Sequence, residues 1–253
     1  MKIRTLIVGY VLALALFLFA QRHPGSSSPT GFHAVVDLTR SIHASTPAYE
    51  PGGKPASSPQ QFETRIEAPA HFAHGLWTVD QIPAERLIAP LVVLDVSANI
   101  ANRPDYRISV EDIAQWERVH DQIPLGSVVI ARTGWGSGWN SAKHDRNAEA
   151  RGEMHFPGYS EDAAKFLVEG RNALGLGTDT PGMDTPGMDS AGMDPGPSKD
   201  SPARQYTLAH SVYQLENVAN LDRVPVTGGM VVVAPAKLEG GSRGPVRILA
   251  LVR

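Results

Sequence analysis

Short runs of apolar, mostly β-branched residues recur along the chain, and each run has the length of a buried β-strand. Stretches rich in glycine and proline separate them, and residues 45–60, with four prolines, predict a loop. The predicted strands are residues 33–38, 91–96, 127–131, 230–234 and 246–252.

A first helix is predicted from residues that suit a helix N-terminus. Ser109 stands three residues before Asp112, which is the spacing of a capping box. Ile108 and Ile113 can pack against each other across this turn as a hydrophobic staple. The pattern predicts a helix that begins after Ser109 and runs to about His120.

A second helix is predicted to begin at Ser160. Glu161 and Asp162 would lie in its first turn, where the helix dipole favours carboxylates, and Gly170 suits a left-handed end. Predicted strands outnumber predicted helices, and the connections between them are long. The pattern therefore predicts an α/β protein with a mixed β-sheet or barrel-like core flanked by a few helices.

The N-terminus has the layout of a secretory signal peptide. Residues 1–20 begin with Lys2 and Arg4 and continue as an apolar run, which is shorter than the roughly 20 residues of a membrane-spanning helix. Residues 21–32 are polar and flexible in composition and predict a linker. We therefore expect residues 33–253 to form one exported domain, periplasmic or secreted, and tethered to the membrane if the signal segment is not cleaved.

Composition narrows the function classes. Of 253 residues, 42% are hydrophobic and 19% charged, which suits a globular domain with a sizeable core. The formal net charge is -3 and there is no lysine- or arginine-rich run, which argues against a nucleic-acid partner. The chain has no cysteine, so disulfides, zinc ribbons and thiol nucleophiles are excluded.

Residues 180–194 consist of three near-copies of a five-residue unit, TPGMD, TPGMD and SAGMD. Such a unit is far too short to bury a face as a solenoid repeat does. We interpret residues 180–199 as a low-complexity loop insertion. Its acidic residues could bind calcium, although solvated turn residues are the simpler interpretation; they are Asp179, Asp184, Asp189 and Asp194.

The residues best suited to catalysis lie in residues 61–75, which read QFETRIEAPAHFAHG. If residues 64–67 are extended, Arg65 and Glu67 point to the same face, because strand side chains alternate. A proline ends this strand and places His71 just beyond it, where an imidazole is a candidate general acid or base. A surface ion pair beside an ordinary histidine is the alternative.

This stretch resembles the signature of the cyclase family, which includes bacterial kynurenine formamidases and isatin hydrolases. The family pattern is His-x-Gly-Thr-His-x-Asp-x-Pro-x-His, and Thr64, Pro69 and His71 match it. The resemblance implies the swivelling β/β/α fold of that family. Further similarity extends over nearly all of the exported part, at residues 37–39, 132–135, 155–158, 177–179, 216–221, 240–242 and 245–247.

The resemblance also implies an activity. Members are metal-dependent hydrolases of small N-formyl or cyclic amides, such as the arylformamidases of tryptophan catabolism, and are often dimeric or larger. In these enzymes two zinc or manganese ions activate a water. The histidine that closes the signature, here His71, is the acid/base catalyst. We accordingly expect a small-molecule substrate and a homo-oligomer.

At the metal-binding positions the sequence departs from the family pattern. The two signature histidines correspond to Gln61 and Arg65, and the aspartate corresponds to Glu67. Glu216 matches a late glutamate, but Arg204 stands twelve residues before it, where the family has a histidine. A guanidinium has no lone pair and stays charged, so it binds carboxylates rather than cations.

We therefore hypothesise that Arg65 and Arg204 occupy the volume of the two ions and neutralise Glu67 and Glu216. On this hypothesis the metal site is degenerate and the chain has no resident metal or other cofactor. If one metal were retained, its ligands would be Glu67, His71 and Glu216, with His74 as a further candidate. A second alternative is a non-catalytic protein whose two arginines recognise a carboxylate ligand in the former active-site pocket.

Overall fold

The computed structural model describes residues 31–41, 49–50, 54–55, 64–100, 103–135, 155–184 and 201–253. The predicted signal segment and Gln61 lie outside these residues. Within them, we find no helix with the length and apolar character needed to span a membrane. The main compact unit comprises Ala34–Arg253.

Most strands belong to one sheet that closes on itself. The strands are β1 Ala34–Asp37, β2 Tyr49–Glu50, β3 Lys54–Pro55, β4 Arg65–Glu67, β5 Ile88–Asp95, β6 Arg107–Ile108, β7 Val128–Arg132, β8 Gly158–Tyr159, β9 Gly175–Thr178, β10 Tyr213–Glu216, β11 Gly229–Pro235 and β12 Arg243–Val252. The main sheet has the order β1-β12-β11-β5-β7-β9-β10-β4, and β12 also pairs with β4. Seven strands thus form a closed mixed barrel, with β1 added to β12, which confirms the predicted barrel-like α/β core.

The helices are short. They are α1 Ser97–Ile100, α2 Val110–His120, α3 Glu161–Lys165, which continues as a π-helix at Phe166–Gly170, and α4 Pro202–Ala209, with 3-10 helices at Pro69–His71, Val79–Gln81, Ala84–Arg86 and Leu221–Arg223. The predicted capping box of α2 is present. The Ser109 hydroxyl accepts a hydrogen bond from the Asp112 backbone N–H, and the Asp112 carboxylate accepts one from the Ser109 backbone N–H.

Strand β5 is buried on both faces, which explains its unbroken apolar sequence. Leu91 and Val93 belong to one core cluster, shared with Ile66 of β4. Val92 and Leu94 face the other way and belong to a second cluster with the helices α2 and α3. Strands covered on both sides have continuous hydrophobic runs rather than alternation. The barrel is therefore filled inside and covered by helices outside.

The repeated segment is not entirely a surface loop. Its first copy, residues 180–184, directly follows β9 and is buried, with Met183 in the cluster that contacts the helices. Asp179 and Asp184 are also buried. The interpretation of these two aspartates as solvated turn residues was therefore wrong, because the chain packs here against the barrel. Asp189 and Asp194 lie outside the described residues.

Candidate active site

Strand β4 places two of the predicted residues on one face. Because side chains alternate along a strand, Arg65 and Glu67 lie on the side opposite Ile66, which packs in the hydrophobic core. Strand β4 pairs with β10 and β12, and in the antiparallel pairing with β10 the residue facing Arg65 is Glu216. The fold thus brings these three charged side chains together as same-strand and cross-strand neighbours.

Arg65 bridges two carboxylates. Its Nε donates to Glu216 Oε2 at 2.5 Å, and its Nη2 contacts the same oxygen. Nη2 also lies 3.9 Å from Glu67 Oε1 and donates to the carbonyl oxygen of Pro181 at 3.4 Å. The guanidinium therefore occupies the space between Glu67 and Glu216.

Arg204, on α4, binds Glu67 with two hydrogen bonds. Its Nε donates to Oε2 at 2.9 Å and its Nη2 donates to Oε1 at 3.2 Å, which is the forked geometry that makes arginine–carboxylate pairs strong. The Arg204 carbonyl oxygen accepts from Gln214 Nε2 at 2.9 Å, which fastens α4 to β10. We call Arg65, Glu67, Arg204 and Glu216 the ion-pair network.

The ion-pair network is buried and its formal charges balance, two positive against two negative. Glu67 and Glu216 are 0% and 1% exposed, Arg65 is 4% exposed, and the Arg204 side chain is 11% exposed. Burial alone lowers the pKa of Arg65, but the charges of Glu216 and Glu67 outweigh it and raise that pKa above its ordinary value. Burial raises the pKa of Glu216, and Arg65 opposes this shift. The guanidinium therefore stays charged.

His71 is the last residue of the 3-10 helix Pro69–His71, directly beyond β4. Its Nδ1 lies 3.2 Å from the hydroxyl of Ser242, and the Ser242 carbonyl oxygen accepts from the Ala68 backbone N–H at 2.8 Å. No role was predicted for Ser242 from the sequence, although this residue lies in one of the segments that resemble the family. The contact allows the Ser242 hydroxyl to help orient the imidazole.

Asp184 is a second residue whose role was missed. Its Oδ2 accepts from the backbone N–H of Arg204 at 3.1 Å, in the first turn of α4. Burial raises the pKa of Asp184 to about 7, and the N–H groups and charge of Arg204 only partly oppose this. The carboxyl group thus caps the helix that carries Arg204. Because Asp184 lies within a short repeat, its role as a helix cap was not predicted from the sequence.

A separate cavity of about 230 Å³ opens at the carboxyl ends of β7, β9 and β10. Arg40, Arg132 and Asp179 line it, together with residues 218–222, and no member of the ion-pair network does so. Burial lowers the pKa of Arg40 to about 10, although Asp179 opposes the shift. We call this space the polar cavity; of its residues, only Asp179 had been considered as a site from the sequence, as one of the aspartates that could bind calcium.

Two comparisons decide the family. The Cyclase family model matches residues 36–185. The isatin hydrolase of Roseibium aggregatum (strain ATCC 25650 / DSM 13394 / JCM 20685 / NBRC 16684 / NCIMB 2208 / IAM 12614 / B1) is 33% identical over 193 residues, which cover 75% of this chain and 70% of that protein. The chain belongs to the cyclase family.

Solved cyclase-family structures agree with this assignment. Isatin hydrolase A from Ralstonia solanacearum superposes with a TM-score of 0.73 at 30% identity, covering 87% of this chain and 92% of that one. A protein described as a potential metal-dependent hydrolase with cyclase activity has a TM-score of 0.64 and 23% identity, covering 87% and 98%, and supports the fold alone. This cyclase-family chain is thus isatin hydrolase-like in sequence and architecture.

The ion-pair network does not suit the divalent ion that the family implies. A cation needs lone-pair donors around it, but here the oxygens of Glu67 and Glu216 already accept N–H groups from guanidiniums. Within the described parts of the chain, no three histidine or acidic side chains are grouped closely enough to hold a metal. His71 is therefore not gathered with the two glutamates as a ligand set, and His74 is exposed.

Proposed function

We propose that this chain hydrolyses small cyclic or N-formyl amides, with a specificity like that of the arylformamidases. Similarity to isatin hydrolases over most of the chain supports this reaction class. The observation that carries the proposal is the position of His71. It lies immediately beyond the charged strand β4, with Nδ1 held 3.2 Å from the Ser242 hydroxyl.

In the proposed reaction, water adds to the carbonyl carbon of the amide and the C–N bond breaks, giving a carboxylic acid and an amine. His71 accepts the proton of the attacking water and returns it to the leaving nitrogen, which is the ordinary double role of a general base and acid. Ser242 contributes by fixing which ring nitrogen faces the substrate, because its hydroxyl already contacts Nδ1. His71 is therefore the proposed catalytic residue and Ser242 a positioning residue.

We further propose that the metal site is degenerate. Glu67, which corresponds to the aspartate ligand of the signature, and Glu216, which corresponds to the late glutamate, are both bound to arginines, so water activation would rest on His71 without the paired ions that the family resemblance implies. Turnover should consequently be slow.

The geometry does not support the alternative of a non-catalytic protein that recognises a carboxylate ligand, since the guanidiniums of Arg65 and Arg204 already bind glutamates.

The test is hydrolysis of isatin and of N-formylkynurenine by the purified full-length chain, followed by absorbance. We expect turnover above the buffer rate that is lost in His71→Ala and retained in His74→Ala, an exposed histidine three residues further along. Ser242→Ala should lower kcat more than it changes KM. Absence of turnover on both amides, or equal rates for the wild type and His71→Ala, would refute the proposal.

A further inference from the structure

The ion-pair network has the charge and connectivity of a metal site, with guanidiniums in place of cations. Arg65 contacts both glutamates, Glu216 at 2.5 Å and Glu67 at 3.9 Å, as a bridging ion would. Arg204 completes the arrangement by binding both oxygens of Glu67. The two carboxylates thus converge on these guanidiniums.

The network also joins the elements that close the barrel. Glu67 and Arg65 lie on β4, which joins β10 to β12, and Glu216 lies opposite Arg65 on β10. Arg204 reaches the same site from α4. Two buried carboxylates without a counter-charge would repel each other and destabilise this junction. Positive charge between the two carboxylates therefore stabilises this junction.

We propose that Arg65 and Arg204 are built-in counter-cations that replace divalent ions, and that Glu67 and Glu216 remain a latent metal site. The native chain then folds and keeps this site without any divalent ion. Replacing both arginines with side chains that offer a lone pair restores metal binding, because imidazole and carboxylate together form the donor set that zinc prefers. This inference concerns the same site as the proposed function and is independent of the substrate.

The experiment compares three forms of the full-length chain. They are the wild type, Arg65→His with Arg204→His, and, as a matched control, Arg65→Leu with Arg204→Leu, which removes the same two charges but adds no ligand. Each is purified without chelator, its zinc and manganese are measured by inductively coupled plasma mass spectrometry, and its Tm is recorded with zinc chloride, with manganese chloride and with EDTA.

We expect the wild type to contain far less than one metal ion per chain and to keep its Tm in EDTA. The histidine variant should bind about one zinc ion or more per chain, and added zinc should raise its Tm by about 5 °C or more, since a ligand that binds only the folded state stabilises it. The leucine variant should show neither effect.

Four results would count against the inference. One is stoichiometric metal in the wild type that Glu67→Gln removes, and another is a fall of the wild-type Tm in EDTA. The third is a histidine variant that takes up no more zinc than the leucine variant. If both double variants fail to fold even with zinc, the latent site is refuted, while the wild-type measurements still decide whether the arginines replace the ions. None of these readouts depends on amide hydrolysis, so a failed activity assay leaves this test intact.

Discussion

The ion-pair network and the polar cavity both contain arginine and acidic side chains but differ in electrostatics. In the network, guanidinium and carboxylate meet directly, and the pKa of Arg65 rises above its ordinary value because Glu216 and Glu67 outweigh burial. At the polar cavity burial prevails, and the pKa of Arg40 falls to about 10. There Asp179 accepts backbone N–H groups of Thr133 and Gly134, both at 3.0 Å. The carboxylates beside Arg65 thus outweigh the effect of its burial on the pKa, whereas Asp179 does not outweigh the effect of burial on Arg40.

This difference indicates what each region can do. In the network every carboxylate binds a guanidinium, so a ligand could enter only by breaking an ion pair. The polar cavity is about 230 Å³ in volume and is lined by Arg40 and Arg132, so a small anionic or polar molecule could contact a guanidinium there. Its volume is below the roughly 300–1,000 Å³ of pockets for drug-sized ligands. The following predictions test how far the two regions differ.

The largest expected effect is that of Glu67→Gln in the ion-pair network. The change leaves the buried Arg204 guanidinium without its carboxylate, and breaking a buried pair in this way costs about 3–5 kcal/mol. The free energy of unfolding is measured in urea. As a control, Asp95→Asn removes the partner of Arg132 at the polar cavity, where both side chains are about one-third exposed, and should cost less than about 1 kcal/mol. Similar losses of unfolding free energy in the two variants would contradict the expected difference between the ion-pair network and the polar cavity.

An effect of similar size, but dependent on pH, is expected for Asp184→Asn, which tests the helix that carries Arg204. Because burial raises the pKa of Asp184 to about 7 from an ordinary 3.8, the folded state holds its proton more tightly than the unfolded state does. The stabilising contribution is therefore complete below about pH 4 and is lost as the pH rises through 7. Each unit of difference between the folded-state and unfolded-state pKa changes the free energy of unfolding by about 1.4 kcal/mol.

The wild type should thus lose stability relative to Asp184→Asn between pH 4 and pH 8, as measured by urea unfolding at several pH values. Asp162→Asn, at an exposed position in the first turn of α3, is the matched control. A stability difference between the wild type and Asp184→Asn that does not vary with pH would show that burial does not govern this carboxyl group.

Local patterns predicted much of the barrel. The apolar run of β5 and the capping box of α2 are encoded by adjacent residues, so both elements were found. Strand β9 reads GLGT, and glycine is a poor strand residue. Glycine is needed in this strand because a Cβ at Gly175 would lie 2.3 Å from the ring of Tyr213 on the neighbouring strand. That requirement comes from packing between distant segments and leaves no local pattern.

The candidate site was also predicted only in part, because its arrangement depends on contacts between distant segments. Aligning the signature identified Arg65 and Glu67, and a twelve-residue spacing identified Arg204 with Glu216. Which arginine binds which glutamate depends on the register of β4 and β10 and on the docking of α4, and neither can be inferred from spacing alone. Helix α4 itself was missed because its first turn is capped by Asp184, across a long connection, and not by a neighbouring residue.

The smallest expected effect is that of Arg40→Met at the polar cavity. The change removes the hydrogen bond from Arg40 Nε to the Asn217 carbonyl oxygen at 3.2 Å, but it also removes a charge whose burial is unfavourable, as the lowered pKa of this guanidinium indicates. These effects oppose each other, so unfolding in urea should change by about 1 kcal/mol or less. Arg118→Met, on the exposed face of α2, is the control. A loss as large as that of Glu67→Gln would mean that Arg40 is bound as tightly as the network arginines, and the contrast between the two regions would be wrong.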